Sequence, residues 1–201
     1  MVPILSYIAS GGRARCCGVR VSPSMPMGEI TLGMLFTLSY LKLGLTPALL
    51  CFLASLVFLW ALVLYDFAHQ ILPSVFLAPF ILFSSAASFF STPQEFLANL
   101  SMAAILASSL ALIHFLSRGR AMGFADAPFV FGCALLAGTS AFAGFLFSFW
   151  IGAVVGIIVL LRRPRGSRMG VEVPFAPFLA AGFLLAYFTA WDPIAFTAAF
   201  L

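Results

Sequence analysis

Residues 47–66 read Pro-Ala-Leu-Leu-Cys-Phe-Leu-Ala-Ser-Leu-Val-Phe-Leu-Trp-Ala-Leu-Val-Leu-Tyr-Asp. Positions 47–65 hold no charge, and a membrane-crossing helix needs roughly 20 such residues. The run ends on Asp66. A carboxylate at the edge of a span is costly to keep, so its presence points to a use. Similar apolar segments occupy residues 27–44, 71–90, 95–116, 127–139, 140–161 and 175–191. Pro47, Pro93 and Pro174 fall at or just before segment starts, where a missing N–H costs a helix little. The fifth segment is short, and Gly138-Thr139-Ser140 after it predicts a tight hairpin with the sixth. The expected fold is therefore all-α: a polytopic membrane helix bundle of about seven transmembrane segments.

Composition agrees. The chain is 63% hydrophobic and only 8% charged, with a mean hydropathy of +1.15, which excludes an ordinary soluble domain. The apolar runs continue to the C-terminus, so no single run reads as a removable signal peptide. Cys51 and Cys133 lie inside apolar runs as small buried hydrophobes. Cys16 and Cys17 are adjacent and lack the spacing of zinc-ligand pairs.

The net charge of +4 serves topology rather than nucleic-acid binding. Arg13, Arg15 and Arg20 precede the first segment, Arg118 and Arg120 follow the fourth, and Arg162, Arg163, Arg165 and Arg168 follow the sixth. Counting crossings puts nine of the ten basic residues on one side, with Lys42 the exception. By the positive-inside rule that side is cytoplasmic. Asp66 follows segment two and Asp126 precedes segment five, so both fall at the cytoplasmic membrane edge.

Two carboxyl groups at one site are the raw material of an aspartyl hydrolase. The ionised group takes a proton from water while its protonated partner polarises the scissile carbonyl. The two cannot both ionise cheaply, so their titrations separate. Such chemistry needs neither metal nor cofactor. A lone carboxylate at a helix end is more often a cap, which is the expected role of Glu29, Glu95, Glu172 and Asp192. His69 and His114 are acid–base candidates by residue type, with His114 expected to be packed or to face a loop.

The flanking residues carry a resemblance. Asp66-Phe-Ala-His69-Gln-Ile-Leu-Pro73-Ser74 resembles the first active-site motif of the bacterial type IV prepilin peptidases. Met122-Gly123-Phe124-Ala125-Asp126 resembles their second, a Gly-x-Gly-Asp signature. Three other stretches match in order. Pro3-Ile-Leu-Ser-Tyr7 with Gly12–Gly18 is similar to the end of that family's cysteine-bearing cytoplasmic loop. Pro26-Met-Gly-Glu29-Ile-Thr-Leu-Gly33 is similar to the start of its next span. Val173-Pro174-Phe-Ala-Pro177-Phe-Leu-Ala is similar to its C-terminal Ile-Pro-Phe-Gly-Pro-Phe-Leu-Ala segment.

The resemblance implies an intramembrane aspartyl endopeptidase of the bacterial inner membrane, with Asp66 and Asp126 as the catalytic pair. Its partners would be type IV prepilins or pseudopilins, cut after a glycine to release a basic leader, and the lipid bilayer. Residues 1–26 would be a cytoplasmic remnant of the cysteine-bearing loop and 27–201 the transmembrane peptidase domain. Family members carry two Cys-x-x-Cys pairs that bind zinc, in a loop associated with S-adenosylmethionine-dependent N-methylation. This chain starts after the first pair, and Ala14 replaces the first cysteine of the second, so the implied activity is cleavage without methylation.

Three departures touch the site. Ala125 replaces the second glycine of Gly-x-Gly-Asp, and the loop must re-form if that glycine needs a positive φ. Pro128 stands where a lysine is usual and suits the first turn of segment five. Ser74 replaces an Asp or Asn and is an N-cap-type residue. Two competing readings follow: a catalytically impaired homologue, or a small proton- or cation-coupled transporter. A transporter should show broken helices paired near mid-membrane.

Overall fold

The structure is a computed structural model that describes residues 7, 9–13, 16–20, 24–120, 122–162 and 174–191. Arg15, Arg163, Arg165, Arg168, Glu172 and Asp192 lie outside the described residues. Two compact units divide the chain, residues 1–44 and residues 45–201.

In the first unit the Gly12 N–H donates to the Tyr7 carbonyl at 3.0 Å, and Arg13 pairs with Arg20 in an isolated antiparallel bridge. Helix α1 spans Ser24–Leu43. It carries Glu29, Lys42 and several hydroxyls. Thr31, Thr37 and Ser39 satisfy theirs on the carbonyls four residues back, at 2.7–2.9 Å, the usual way an apolar helix tolerates these residues.

The second unit holds α2 (Pro47–His69), α3 (Ser74–Ser91), α4 (Phe96–Leu116), α5 (Asp126–Ala137), α6 (Ala141–Arg162) and α7 (Ala176–Thr189). Short 3₁₀ turns, Pro93–Glu95 and Gly138–Ser140, precede α4 and α6. The described residues thus form helices at all seven expected positions. By length and composition, Pro47–His69, Ser74–Ser91, Pro93–Leu116 and Asp126–Arg162 are long and apolar enough to cross a membrane. Large apolar side chains such as Leu50, Val75, Leu97 and Leu161 are exposed on the outside of these helices, as lipid-facing residues are.

Local chemistry sets the helix ends. The Thr46 hydroxyl caps α2 by accepting the Leu49 N–H at 3.3 Å, with Pro47 at the first helical position. At the other end Gln70 turns left-handed, φ 54°, and its N–H donates to the Asp66 carbonyl at 2.8 Å. At α3 the structure differs from expectation. Pro73, not Ser74, takes the cap position, and no side chain caps the helix. Proline fixes its own φ and leaves one fewer N–H to satisfy, so Ser74 is drawn into the first turn.

Residues 126–162 do not form one continuous span. A straight helix from Asp126 to Phe149 would separate the two by about 35 Å, yet both line one cavity. The chain reverses at Gly138, whose φ of 57° and ψ of −128° suit only glycine. This is the expected hairpin.

Helix α5 is the centre of the unit. It packs against α3, α4, α6 and α7, and every residue from Asp126 to Ala137 except Pro128 and Phe131 is buried. Gly132 lies directly under the Phe80 ring of α3, with no room for a Cβ. The α6–α7 crossing is built the same way. A Cβ on Gly144 would fall 2.8 Å from the Phe183 Cα, and one on Gly182 would collide with the Ser148 backbone. The Ser148 hydroxyl lies 2.7 Å from the Gly144 carbonyl and 3.2 Å from the Leu179 carbonyl across the crossing. Small residues with an interhelical hydroxyl are how apolar helices associate where water does not drive them together.

Gly182→Val should therefore lower thermal stability by about 1–3 kcal/mol through overpacking, read as a drop in melting temperature of the detergent-solubilised protein. An unchanged melting temperature would refute so close a crossing.

Candidate active site

The last turn of α2 presents Asp66, and Asp126 is the first residue of α5. Both side chains are nearly buried, 6% and 9% exposed. They line one cavity of about 810 Å³ and are close enough to interact electrostatically. Topology brings them together: the chain goes out along α3, back along α4, and re-enters the bundle at α5.

Each carboxyl has a defined setting. Asp66 Oδ2 accepts the Ala176 N–H at 3.2 Å, a contact between residues 110 positions apart. Ala176 opens α7, so Asp66 sits at the positive end of that helix. The N–H belongs to the helix's first turn and has no partner inside it, which leaves it available to the carboxylate. Gly123 faces Asp126, with the position of its absent Cβ 3.5 Å from Oδ2. The remaining wall includes Gln70, Arg120, Phe124, Phe149 and Phe175. Phe149 and Phe175 are tilted against each other at 5.5 Å. The cavity thus offers an apolar wall, two carboxyls and, among the described residues that line it, the single cation Arg120.

The altered residues of the second motif find ordinary places. Ala125 has φ −66° and ψ −17°, a right-handed conformation open to any L-residue. No glycine is required there, and the loop does not have to re-form around the methyl group. Pro128 sits in the first turn of α5, where its missing N–H costs no helical bond.

Of the other candidates in the second unit, His69, His114 and Glu95 are not among the residues that line the cavity. His69 is exposed and pairs with Tyr65 at 4.6 Å. His114 Nδ1 lies 2.8 Å from the Met122 carbonyl, the loop-facing position expected for it. Glu95 ends the turn preceding α4, and Glu29 lies within α1. Reading the sequence did not single out Gln70 or Phe149. Gln70 carries one signal in hindsight, since it lies inside the Asp66–Ser74 stretch. Phe149 carries none, one phenylalanine among 24.

A zinc site would need four ligands in tetrahedral array. Cys16 and Cys17 are exposed, with sulfurs 3.5 Å apart, and residue 14 of the sequence is alanine rather than cysteine. Two adjacent thiols do not supply the four ligands of a tetrahedral site. Among the described residues no three His, Cys, Asp or Glu side chains are grouped to hold a metal. These residues do not fit a zinc centre.

Fold and cavity together define an all-α membrane protein with two buried carboxyls on a shared cavity. A model of the bacterial peptidase A24 N-terminal domain matches residues 1–43. The chain is similar to the prepilin leader peptidase/N-methyltransferase of Bacillus subtilis (strain 168), 31% identical over 192 residues, covering 93% of this chain and 75% of that protein. It is 28% identical over 190 residues to the protein of the same description from Pseudomonas aeruginosa, covering 89% of this chain and 63% of that one. It is 32% identical over 193 residues to the one from Dickeya chrysanthemi, covering 89% and 64%. No solved structure gives a significant match. The chain belongs to the prepilin leader peptidase family.

The Asp66–Ala176 contact is testable by stability alone. Asp66→Ala leaves the buried Ala176 N–H without its acceptor and should cost about 1–3 kcal/mol. Asp66→Asn keeps an oxygen acceptor and should melt closer to wild type. Equal melting temperatures for the two variants would remove the contact from the account.

Proposed function

We propose that this chain is a membrane aspartyl endopeptidase that removes the basic leader from type IV prepilins or pseudopilins. Asp66 and Asp126 are its catalytic pair, working at the cytoplasmic face of the bacterial inner membrane. The observation that carries this reading is the shared cavity, which joins carboxyls from the end of α2 and the start of α5. The similarity to the prepilin leader peptidase/N-methyltransferase of Bacillus subtilis supports the peptidase activity and the prepilin substrate.

The mechanism follows from the pair. One carboxylate takes a proton from a water molecule between the two groups as that water attacks the scissile carbonyl. The other, protonated, donates to the carbonyl oxygen and carries the developing charge. The leaving amine then takes up a proton from the pair, which restores one shared proton. Burial keeps competing water out and strengthens both hydrogen bonds. The apolar wall of Phe149 and Phe175 suits an extended, apolar stretch of substrate. Arginine placement supports the cytoplasmic face, with Arg120 on the cavity itself.

Cleavage without N-methylation is part of the same proposal, supported by Ala14 and by adjacent rather than spaced thiols at Cys16 and Cys17. So is the functional division into residues 1–26, the remnant of the cysteine-bearing loop, and residues 27–201, the peptidase.

The test is cleavage of a prepilin by the purified full chain in proteoliposomes. Asp66→Asn and Asp126→Asn should each lower the rate by at least about 100-fold, the scale of a lost acid–base group. Continued cutting by either variant would sink the pairing. Ala125→Gly should stay within about threefold of wild type, because alanine already occupies an allowed conformation there. A large gain would mean that the methyl group impairs the native site.

A further inference from the structure

The geometry points to His114 as the positioning residue that sets the loop carrying Asp126, through a hydrogen bond from its Nδ1–H to the Met122 carbonyl. His114 lies in the last turn of α4 and is not among the residues that line the catalytic cavity; it is near enough to Asp126 to act on it electrostatically, but its hydrogen bonds go to the loop. Both its ends hold the segment between α4 and α5. Its own carbonyl accepts the Gly119 N–H at 2.9 Å and the Ser117 hydroxyl at 3.1 Å. Its ring nitrogen meets the Met122 carbonyl at 2.8 Å. One residue thus pins the loop at its start and again four residues before Asp126.

The described residues of the loop on either side of position 121 pack around that ring. Arg118 and Gly119 are both left-handed, with φ 54° and 74°, which turns the chain back over α4. Gly119 passes so close that a Cβ would lie 3.3 Å from His114 Cε1. Phe115 and Phe124 flank the imidazole edge-on, with centroids 5.5 Å and 5.6 Å away. Beyond Met122 the chain runs directly into the turn that starts α5, where the Asp126 N–H donates to the Gly123 carbonyl at 3.3 Å. Fixing Met122 therefore fixes where Asp126 begins.

The chemistry also fixes the tautomer. A carbonyl oxygen can only accept, so Nδ1 must carry the hydrogen. Asparagine can place an amide N–H close to the position of Nδ1–H. Glutamine reaches instead toward Nε2, and phenylalanine keeps the ring packing without any donor.

Three measurements on the full-length chain in nanodiscs test this. With ¹⁵N-histidine labelling only His69 and His114 report, and the signal lost in His114→Asn identifies His114. It should show the Nδ1–H form, and an Nε2–H form would overturn the proposal. By hydrogen exchange, the amides of Asp126 and Ala127 should exchange faster in His114→Phe than in wild type or His114→Asn, and equal exchange in all three would overturn it. In prepilin cleavage, which rests on the peptidase reading, His114→Phe and His114→Gln should lose about tenfold to a hundredfold in kcat with KM little changed. His114→Asn should retain most of the rate. Full activity in His114→Phe, or equal loss in His114→Asn, would reject the hydrogen bond as the working element. If the wild-type chain cuts no prepilin, the peptidase reading falls, and the tautomer and exchange data alone decide the role of His114.

Discussion

Everything at the site depends on one constraint: twelve residues, Asp126–Ala137, are enclosed by four other helices. A helix covered on so many sides can present charge only at an end. Its first residue is the carboxylate, and its first turn opens onto the cavity. Enclosure also dictates composition. Gly132 admits the Phe80 ring, and Ala127, Cys133, Ala134 and Ala137 keep the neighbouring helices close. The hairpin at Gly138 then returns α6 along the same bundle, which brings Phe149 to the level of Asp126.

The second carboxylate is held from the opposite end of the chain. Asp66 lies in the last turn of α2, and the N-terminus of α7 is built against it through the Ala176 N–H. This gives a physical reason for the Pro174-Phe175-Ala176-Pro177 segment. It delivers a helix N-terminus to a buried carboxylate, where an oriented N–H offsets part of the cost of burying charge. The two carboxyls therefore rest on different supports, Asp126 on its own loop and Asp66 on a distant helix.

The second motif looks damaged as a string of letters, with Ala125 for glycine and Pro128 for lysine. In the fold both are accommodated without strain, one by a right-handed backbone and the other by a first-turn position. The conformational demand falls elsewhere, on Gly119 and Gly138, whose φ values are positive. Only the backbone shows whether this chain needs a glycine at position 125.

Hydropathy and proline placement were enough to locate the helices, because each span must satisfy its backbone internally and so declares its own length. The hairpin after segment five was equally legible, since Gly-Thr-Ser interrupts an otherwise continuous apolar run. The charge pattern pointed to Asp66 and Asp126 because an apolar chain can carry few carboxylates. The sequence by itself thus determined the helices, their order and the two residues most worth attention. It assigned Ser74 to a cap that Pro73 takes, because capping turns on φ and ψ and not on side-chain chemistry alone. Only the tertiary structure decided that Ala176 meets Asp66, that Phe149 walls the cavity and that His114 grips Met122. These contacts join residues that local periodicity cannot relate, and they exist only once helices distant in the chain have packed.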